Sequence, residues 1–125
     1  RIARVPRSSE KLSAPYCRGV VAEGKFLFVS GNGPWDPEQQ KMVRGPIGEQ
    51  TTRSLKCLER VIKDAGGDIA NIVSARVYLS QLTETNFQEM NAAYEAFFGE
   101  YRHARTTVGT QLLNFDVEID CIVAL

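Results

Sequence analysis

The 125-residue sequence predicts one α+β domain, in which two helices pack on one face of a single mixed β-sheet. Between positions 47 and 65, apolar residues recur at steps of three and four, which is typical of an amphipathic helix. Apolar and polar residues then alternate from Ile72 to Leu79, as expected for a strand with one face in the core. A second helical stripe follows at positions 86–98, and strand-like runs lie at both ends of the sequence. We therefore expect the order strand, strand, helix, strand, helix, strand, strand.

The first two strands are predicted at positions 19–22 and 25–30, which are short runs of β-branched and aromatic residues. Glu23-Gly24 separates them, a pattern that is typical of a β-hairpin. Residues 31–37 contain two glycines and two prolines, so an irregular loop is expected there. Residues 1–12 have no clear hydrophobic period, and we interpret them as an extended lead-in to the single domain, which spans residues 1–125.

Both helices have predicted ends. The first is expected to stop at Gly66-Gly67, because glycine readily adopts the left-handed conformation that closes a helix. The second is expected to begin near Asn86, whose amide can cap the helix while Glu89 reaches back from three residues on. Gly99 is expected to end this second helix.

The last two strands are predicted to form a C-terminal hairpin of residues 105–111 and 117–123. Glu118 would then lie opposite Gln111, six residues from Arg105 along the neighbouring strand. At about 3.3 Å per residue, this places Arg105 and Glu118 roughly 20 Å apart in one chain. They could share a small substrate only across an interface between subunits.

The charged residues of these last strands suggest a site for a small acid. Because side chains alternate along a strand, Val117 and Ile119 share one face, while Glu118 and Asp120 point to the other. The guanidinium of Arg105 can grip a carboxylate through two parallel hydrogen bonds. A carboxylate such as that of Glu118 can move protons or orient a water molecule. The alternative is a surface salt bridge on a solvated sheet.

Six short segments, taken together, carry a more specific pattern: Ala14-Pro15-Tyr16, residues 28–37, Glu49-Gln50-Thr51, Asn91-Ala92-Ala93-Tyr94, Ala104-Arg105-Thr106 and Val117-Glu118-Ile119. In order and spacing, these segments are similar to those of the Rid proteins, the YjgF-like reactive-intermediate deaminases. The resemblance extends over roughly residues 13–124. No single segment is diagnostic, but several in register over one short domain are specific.

The resemblance implies a chorismate-mutase-like subunit that assembles as a homotrimer with clefts between subunits. It also implies a cofactor-independent enzyme. The expected reaction is hydrolysis of reactive 2-imino or 2-enamino acids, such as 2-aminoacrylate, to 2-keto acids and ammonia.

The resemblance further implies roles for individual residues. Arg105 matches the carboxylate-binding arginine of deaminating Rid proteins, and Glu118 matches the acid that holds the attacking water or passes a proton. Five other positions are expected to bind substrate in the same cleft: Tyr16, Ser30, Gly31, Asn91 and Thr107. Ordinary explanations stay open for several of them: a strand-end charge, a half-buried aromatic ring, a turn glycine and a solvated helix residue.

Several positions depart from the common family pattern, so substrate specificity is not predicted. Thr107 stands where many relatives have cysteine, and its hydroxyl makes a covalent thiolate mechanism there unexpected. His103 replaces a common proline, and Gly109 and Gln111 replace an acidic and apolar pattern. His103 is the only histidine and a conceivable general base, but we expect it at the surface. We expect Trp35 to pack rather than to wall the cleft.

Charge balance bears on the alternatives to small-imine deamination. Fifteen basic and fifteen acidic side chains give a formal net charge of zero, so no nucleic-acid partner is expected. An RNA-cleaving translation inhibitor, an activity attached to some relatives, therefore lacks support. Two alternatives stay open: a non-catalytic trimeric module that binds small carboxylates or partners, and a deaminase of a larger unsaturated acid, such as an aminomuconate-like compound.

The remaining composition predicts neither metal nor membrane binding. Cys17, Cys57 and Cys121 form no CxxC pair and accompany no histidine cluster, so we expect free thiols and no zinc site. No apolar run approaches the roughly 20 residues of a membrane span, and no secretory signal is visible. A cytoplasmic protein is the default expectation. The sequence begins at Arg1 rather than Met, so import into an organelle stays open.

Overall fold

The computed structural model describes residues 2–4 and 14–125. In chain order its elements are β1 (Ile2–Arg4), β2 (Val20–Ala22), β3 (Phe26–Asn32), β4 (Trp35–Asp36), β5 (Lys41–Met42), α1 (Ile47–Asp64), β6 (Ile72–Leu79), α2 (Glu84–Phe98), β7 (Ala104–Gly109) and β8 (Val117–Ala124). A short 3₁₀ turn, Ile69–Asn71, precedes β6.

The main sheet has four strands in the order β3-β8-β6-β7. Strands β6 and β7 are parallel and are connected through α2, whereas β8 runs antiparallel to both β6 and β3. In this register Ala75 of β6 lies between Arg105 of β7 and Cys121 of β8. The predicted fold, a mixed sheet with two helices on one face, is therefore confirmed.

Alternation along β8 explains why both helices lie on the same face. Val117, Ile119, Cys121 and Val123 are all buried and belong to one apolar core. The helices complete that core with side chains at helical spacing: Leu55, Leu58 and Ile62 from α1, and Met90, Tyr94 and Phe98 from α2.

We call the other side of the main sheet the open face. Asp120 points to it and accepts hydrogen bonds from Arg76 Nε at 3.0 Å and from the Tyr78 hydroxyl at 2.9 Å. Phe28 also lies there, beside Ile122, and its side chain is 73% exposed. Phe26, two residues earlier on the same side of β3, is exposed as well. Exposed apolar side chains that lie together are typical of a face that contacts a partner.

Both predicted hairpins are wrong. Strand β2 pairs with β1 in a separate two-stranded sheet, and β3 pairs with β8 instead. Strand β8 does not pair with β7, because β7 lies at the edge of the sheet beyond β6. A strand whose alternate residues are all buried gains more apolar contact in the centre of a sheet than at its edge, and this outweighs the preference for a local hairpin.

The region predicted as an irregular loop at residues 31–37 is partly regular. Strand β3 continues to Asn32 through a bulge, and Trp35–Asp36 pairs with Lys41–Met42. In the predicted lead-in, Ile2–Arg4 form a strand, whereas the rest of residues 1–12, apart from these three, lies outside the described residues.

The helix ends lie where the sequence predicts them, except at the start of α2. The helix α1 closes at Gly66, with φ +84°, and α2 closes at Gly99, with φ +62°. The predicted cap at Asn86 is wrong, because α2 begins at Glu84. The hydroxyl of Thr83 accepts a hydrogen bond from the Asn86 amide at 3.1 Å and so caps the helix three residues earlier.

A polar cluster around Asp116 ties the start of β8 to α1. Its carboxylate accepts hydrogen bonds from Gln50 Nε2 at 2.9 Å, Ser80 Oγ at 2.7 Å and Arg44 Nη2 at 3.1 Å. The Asp116 amide in turn donates to Gln50 Oε1 at 2.8 Å. The hydrogen bond from Gln50, with smaller effects of Ser80 and Arg44, lowers the pKa of Asp116 against the opposing effect of burial.

We expect Asp116→Asn to lower the free energy of unfolding by about 1–3 kcal/mol near neutral pH, because hydrogen bonds to a charged acceptor are lost. A carboxyl pKa that is lower in the folded state stabilises the protein above the unfolded pKa of about 3.9 and ceases to do so as pH falls through the folded value. The destabilisation should therefore shrink in acid. Urea unfolding from pH 7 to pH 3 measures it.

Asp64→Asn is the matched control, since it removes the same charge from an exposed position at the end of α1. Its effect should stay within about 0.5 kcal/mol. An equal loss in both variants would contradict a specific role for the Asp116 cluster.

Candidate functional site

Arg105 lies on the helix-facing side of β7, where α2 covers the edge of the sheet. Three aromatic rings surround its guanidinium, with the central carbon 4.9 Å from the ring centre of Tyr16, 4.8 Å from that of Tyr94 and 5.9 Å from that of Phe87. Cations are attracted to the faces of such rings. We call these four residues, together with Asn91, the arginine cluster.

The polar contacts of Arg105 leave its charge uncompensated within the described part of the chain. Nη2 donates to Asn91 Oδ1 at 2.6 Å, and Nη1 lies 3.7 Å from Met90 Sδ. Nε is the one buried side-chain nitrogen or oxygen among the described residues that has no hydrogen-bond partner. No described carboxylate lies within ion-pair distance of this guanidinium.

Burial lowers the pKa of Arg105, although Tyr94 and Tyr16 oppose the shift. An arginine nevertheless stays protonated in proteins, so the site holds a permanent, partly desolvated positive charge. A neutral amide and aromatic rings do not neutralise that charge. The arrangement is chemically suited to one small anion, and a carboxylate matches the planar fork.

Glu118, Ser30 and Gly31 form a second group, the glutamate cluster. A β-carbon at Gly31 would lie 2.4 Å from Glu118 Oε2, so the carboxylate packs directly over the glycine. Gly31 lies within β3, so glycine here leaves space for the carboxylate rather than forming a turn, and a larger residue would displace the Glu118 side chain. Ser30 precedes it and is exposed. A half-buried carboxylate beside an open backbone can hold and orient a water molecule.

The two clusters lie on opposite faces of the sheet. Arg105 is level with Cys121 on the helix-facing side, whereas Glu118 is level with Tyr78 on the open face. Three residues along the strands and two strand spacings across them separate these positions, roughly 10 Å in each direction. One subunit therefore cannot present both side chains to one small ligand. The predicted separation is thus found, but it arises from opposite sheet faces and not from a C-terminal hairpin.

The other predicted site residues fall into the same two groups. Tyr16 and Asn91 contact Arg105 directly. Thr107 is two residues further along β7, beside Val77, and is half-buried on the same side as Arg105. Arg105 thus contacts two of the predicted positions, and Thr107 lies on the same side of β7. The Glu118 carboxylate lies over Gly31, which Ser30 precedes in β3.

Two expectations outside the site have different outcomes. His103 is not at the surface: it is 1% exposed, and its imidazole is hydrogen-bonded to the Tyr94 hydroxyl. It precedes Arg105 by two residues and so faces the helices as well. Trp35 is half-buried on β4, which contacts α1, and its carbonyl oxygen is 3.4 Å from the thiol of Cys57. The packing role expected of its indole ring stays a prediction.

Sequence reasoning predicted Tyr16 but missed the other two ring residues of the arginine cluster, Phe87 and Tyr94. Phe87 and Tyr94 were recognised only as part of the apolar stripe of α2. The signal was nevertheless present, because a helix that connects two adjacent parallel strands must cross over them, and its stripe therefore faces the second strand.

A hollow of about 670 Å³ lies among the segments that follow β6 and β7, at the end of the sheet away from Arg105. Its guanidinium, from Arg44, is already paired with Asp116 at 3.1 Å. A charge that is already compensated attracts an anion less than the guanidinium of Arg105 does. We therefore place the candidate site at the arginine cluster.

Cys17, Cys57 and Cys121 are free and buried, as expected. Burial raises the pKa of the Cys121 thiol to about 12, so it is unreactive near neutral pH. Across residues 2–4 and 14–125, no histidine, cysteine and carboxylate side chains are grouped as metal ligands. None of the described helices is long and apolar enough to cross a membrane.

Comparison with known proteins identifies relatives over nearly the whole chain. The family model described as "Endoribonuclease L-PSP" matches residues 8–125. A RutC family protein of Pyrococcus abyssi is 37% identical over 106 residues, which is 85% of this chain and 81% of that protein.

Two solved structures are also similar. The YjgF gene product of Escherichia coli superimposes with a TM-score of 0.73 at 29% identity, covering 90% of each chain. Escherichia coli TdcF with bound serine gives a TM-score of 0.73 at 25% identity, covering 91% of each chain.

Proposed function

Because this chain belongs to the Rid (YjgF-like) family, we propose that it hydrolyses reactive 2-imino and 2-enamino acids to 2-keto acids and ammonia. The observation that carries the proposal is the guanidinium of Arg105, which has no carboxylate partner and whose Nε has no hydrogen-bond partner within residues 2–4 and 14–125. A substrate carboxylate would supply the missing negative charge and hydrogen bond. The bound serine of the similar protein TdcF supports a small amino-acid-derived ligand.

The chemistry requires little from the protein. The enamine CH₂=C(NH₂)–COO⁻ takes a proton at its methylene carbon and becomes the protonated imine, the iminium ion CH₃–C(=NH₂⁺)–COO⁻. Water then adds to the imine carbon and loses a proton, which gives a carbinolamine. The C–N bond breaks, ammonia leaves with its bonding electrons, and the hydroxyl loses its proton to form the keto acid. Arg105 fixes the carboxylate, while Glu118 takes the proton from water and returns one to the leaving nitrogen.

We propose that the working form is a homotrimer, in which the arginine cluster of one subunit faces the glutamate cluster of its neighbour. The opposite-face placement of Arg105 and Glu118 and the exposed Phe28 on the open face support such an assembly. Light scattering with chromatography should give three times the 13.9 kDa mass of one chain. A monomer at micromolar concentration would contradict a shared cleft.

A coupled assay tests the reaction itself. An amino-acid dehydratase generates 2-aminoacrylate in place, and pyruvate release is timed with and without this protein. Faster release supports the proposal. An intact trimer that binds 2-oxobutyrate without accelerating release would indicate the carboxylate-binding module instead, and a preference for longer unsaturated acids would indicate the larger-substrate deaminase.

RNA cleavage is tested separately, because relatives include proteins named for that activity. Wild-type protein and an Arg105 variant are incubated with messenger RNA. Cleavage by both would contradict a function centred on Arg105.

A further inference from the structure

We propose that His103 is a positioning residue, which holds two of the aromatic rings that pack against the Arg105 guanidinium, those of Tyr16 and Tyr94, and thereby sets the affinity of the site for a carboxylate. The inference rests on the proposed function only in that Arg105 binds the carboxylate. It concerns a buried pair, His103 and Tyr94, that the proposed chemistry does not use.

The first contact of His103 fixes Tyr94. Nε2 of the imidazole and the Tyr94 hydroxyl form a short hydrogen bond, with donor and acceptor set by the imidazole tautomer. Tyr94 is fully buried and His103 is 1% exposed, so water cannot replace either partner. The rings also meet edge to face, with 5.6 Å between their centres. The ring of Phe98 packs 4.9 Å from the imidazole and 4.7 Å from the Tyr94 ring.

The second contact of His103 fixes the segment that carries Tyr16. The carbonyl oxygen of His103 accepts a hydrogen bond from the Cys17 amide at 2.9 Å. Cys17 is covalently attached to Tyr16, whose ring lies 4.9 Å from the guanidinium carbon of Arg105. His103 is thus hydrogen-bonded through its ring to Tyr94 and through its carbonyl oxygen to the segment that carries Tyr16. The ring centres of these two tyrosines lie within 5 Å of the Arg105 guanidinium carbon.

The geometry makes this arrangement important for binding. The Arg105 guanidinium donates one hydrogen bond to the Asn91 amide oxygen and a weak one to Met90 Sδ, and its Nε has no partner among the described residues. Its orientation therefore depends strongly on the rings that pack against it. A bidentate grip on a carboxylate requires the plane of the fork to be set in advance, and a displacement of about 1 Å can cost up to about 10²-fold.

Two arginines lie near the pair in the described part of the chain. Arg105 is the charged side chain that lies 4.8 Å from the Tyr94 ring, and burial raises the pKa of the Tyr94 hydroxyl, which stays a neutral phenol. Neighbouring Arg102 donates from Nη1 to the Gly99 carbonyl oxygen at 2.6 Å, and its Nη2 lies 3.7 Å from the Glu95 carboxylate.

The test compares His103→Leu, His103→Gln and Tyr94→Phe with the wild type. The Kd for 2-oxobutyrate is measured by calorimetry, and KM and kcat by the coupled imine assay. We expect Tyr94→Phe and His103→Leu to weaken keto-acid binding by about tenfold to a hundredfold and to raise KM more than they lower kcat. His103→Gln, which can still hydrogen-bond to Tyr94, should recover part of the affinity.

The double variant Tyr94→Phe/His103→Leu should bind no more weakly than the worse single variant, because it removes both members of the pair and leaves no buried group unpaired. Additive losses would contradict coupling through the hydrogen bond. Tyr94→Phe changes one hydroxyl only, so it keeps the test decisive if His103→Leu does not fold. Wild-type Kd and KM in a folded Tyr94→Phe variant would overturn the inference.

Failure of the proposed function gives a different result. A wild-type protein that binds no keto acid and accelerates no imine hydrolysis would remove the function, whatever the variants do. A wild type that binds 2-oxobutyrate, with variants that bind it equally well but unfold at lower temperature, would leave the function standing and reduce His103 to a purely structural residue.

Discussion

Arg105→Lys is expected to lower kcat/KM for 2-aminoacrylate hydrolysis by about 10²-fold or more, while the trimer and the fold persist. Lysine keeps a positive charge but replaces a planar fork with a compact ammonium, which cannot form two parallel hydrogen bonds to one carboxylate. The site also lacks a described carboxylate to pair with the new ammonium, and burial disfavours its charged form. The coupled assay and calorimetry with 2-oxobutyrate measure the loss.

Arg53→Lys is the matched control for this prediction. Arg53 lies on α1 with its guanidinium 3.8 Å from Asp36, a distance at which a lysine can keep the ion pair. We expect its turnover to stay within a factor of about two of wild type, since the substitution keeps a positive charge beside Asp36. Near-wild-type turnover in Arg105→Lys would remove Arg105 from the mechanism.

Glu118→Gln is expected to lower kcat by about 10²–10⁴-fold with nearly unchanged affinity for 2-oxobutyrate. An amide preserves the shape of the carboxylate above Gly31 but cannot accept the proton of the attacking water. The carboxylate of the ligand is held by Arg105, which this substitution leaves intact. The separation of affinity from turnover therefore distinguishes a proton carrier from a binding residue.

Asp120→Asn controls for the loss of a negative charge on the same face of β8. Its carboxylate is bonded to Arg76 and Tyr78, so the substitution should lower stability with little change in kcat. An equal fall of kcat in both variants would point to the assembly of the open face rather than to chemistry. Full activity of Glu118→Gln would mean that another group carries the proton.

The elements and the identities of the candidate residues were accessible from the sequence. Hydrophobic periodicity located α1 and β6, and glycines marked the ends of both helices, because these signals lie within a window of neighbouring residues. The Arg105 and Glu118 positions emerged from a resemblance carried by short segments. Alternation along β8 already placed Glu118 opposite to the core.

Strand pairing and the environment of each charge were decided only by the tertiary structure. Local turn signals favoured two hairpins, but β8 lies between β3 and β6, where both its edges are hydrogen-bonded and its apolar residues are covered. The same long-range packing buries His103 and surrounds Arg105 with rings from α2 and from the segment before β2. The pairing of β8 with β3 and the contact of Tyr16 with Arg105 join residues far apart in the chain, so no local pattern predicts them. The α2 rings lie closer in sequence to Arg105, and the crossover between two parallel strands predicts which strand they face.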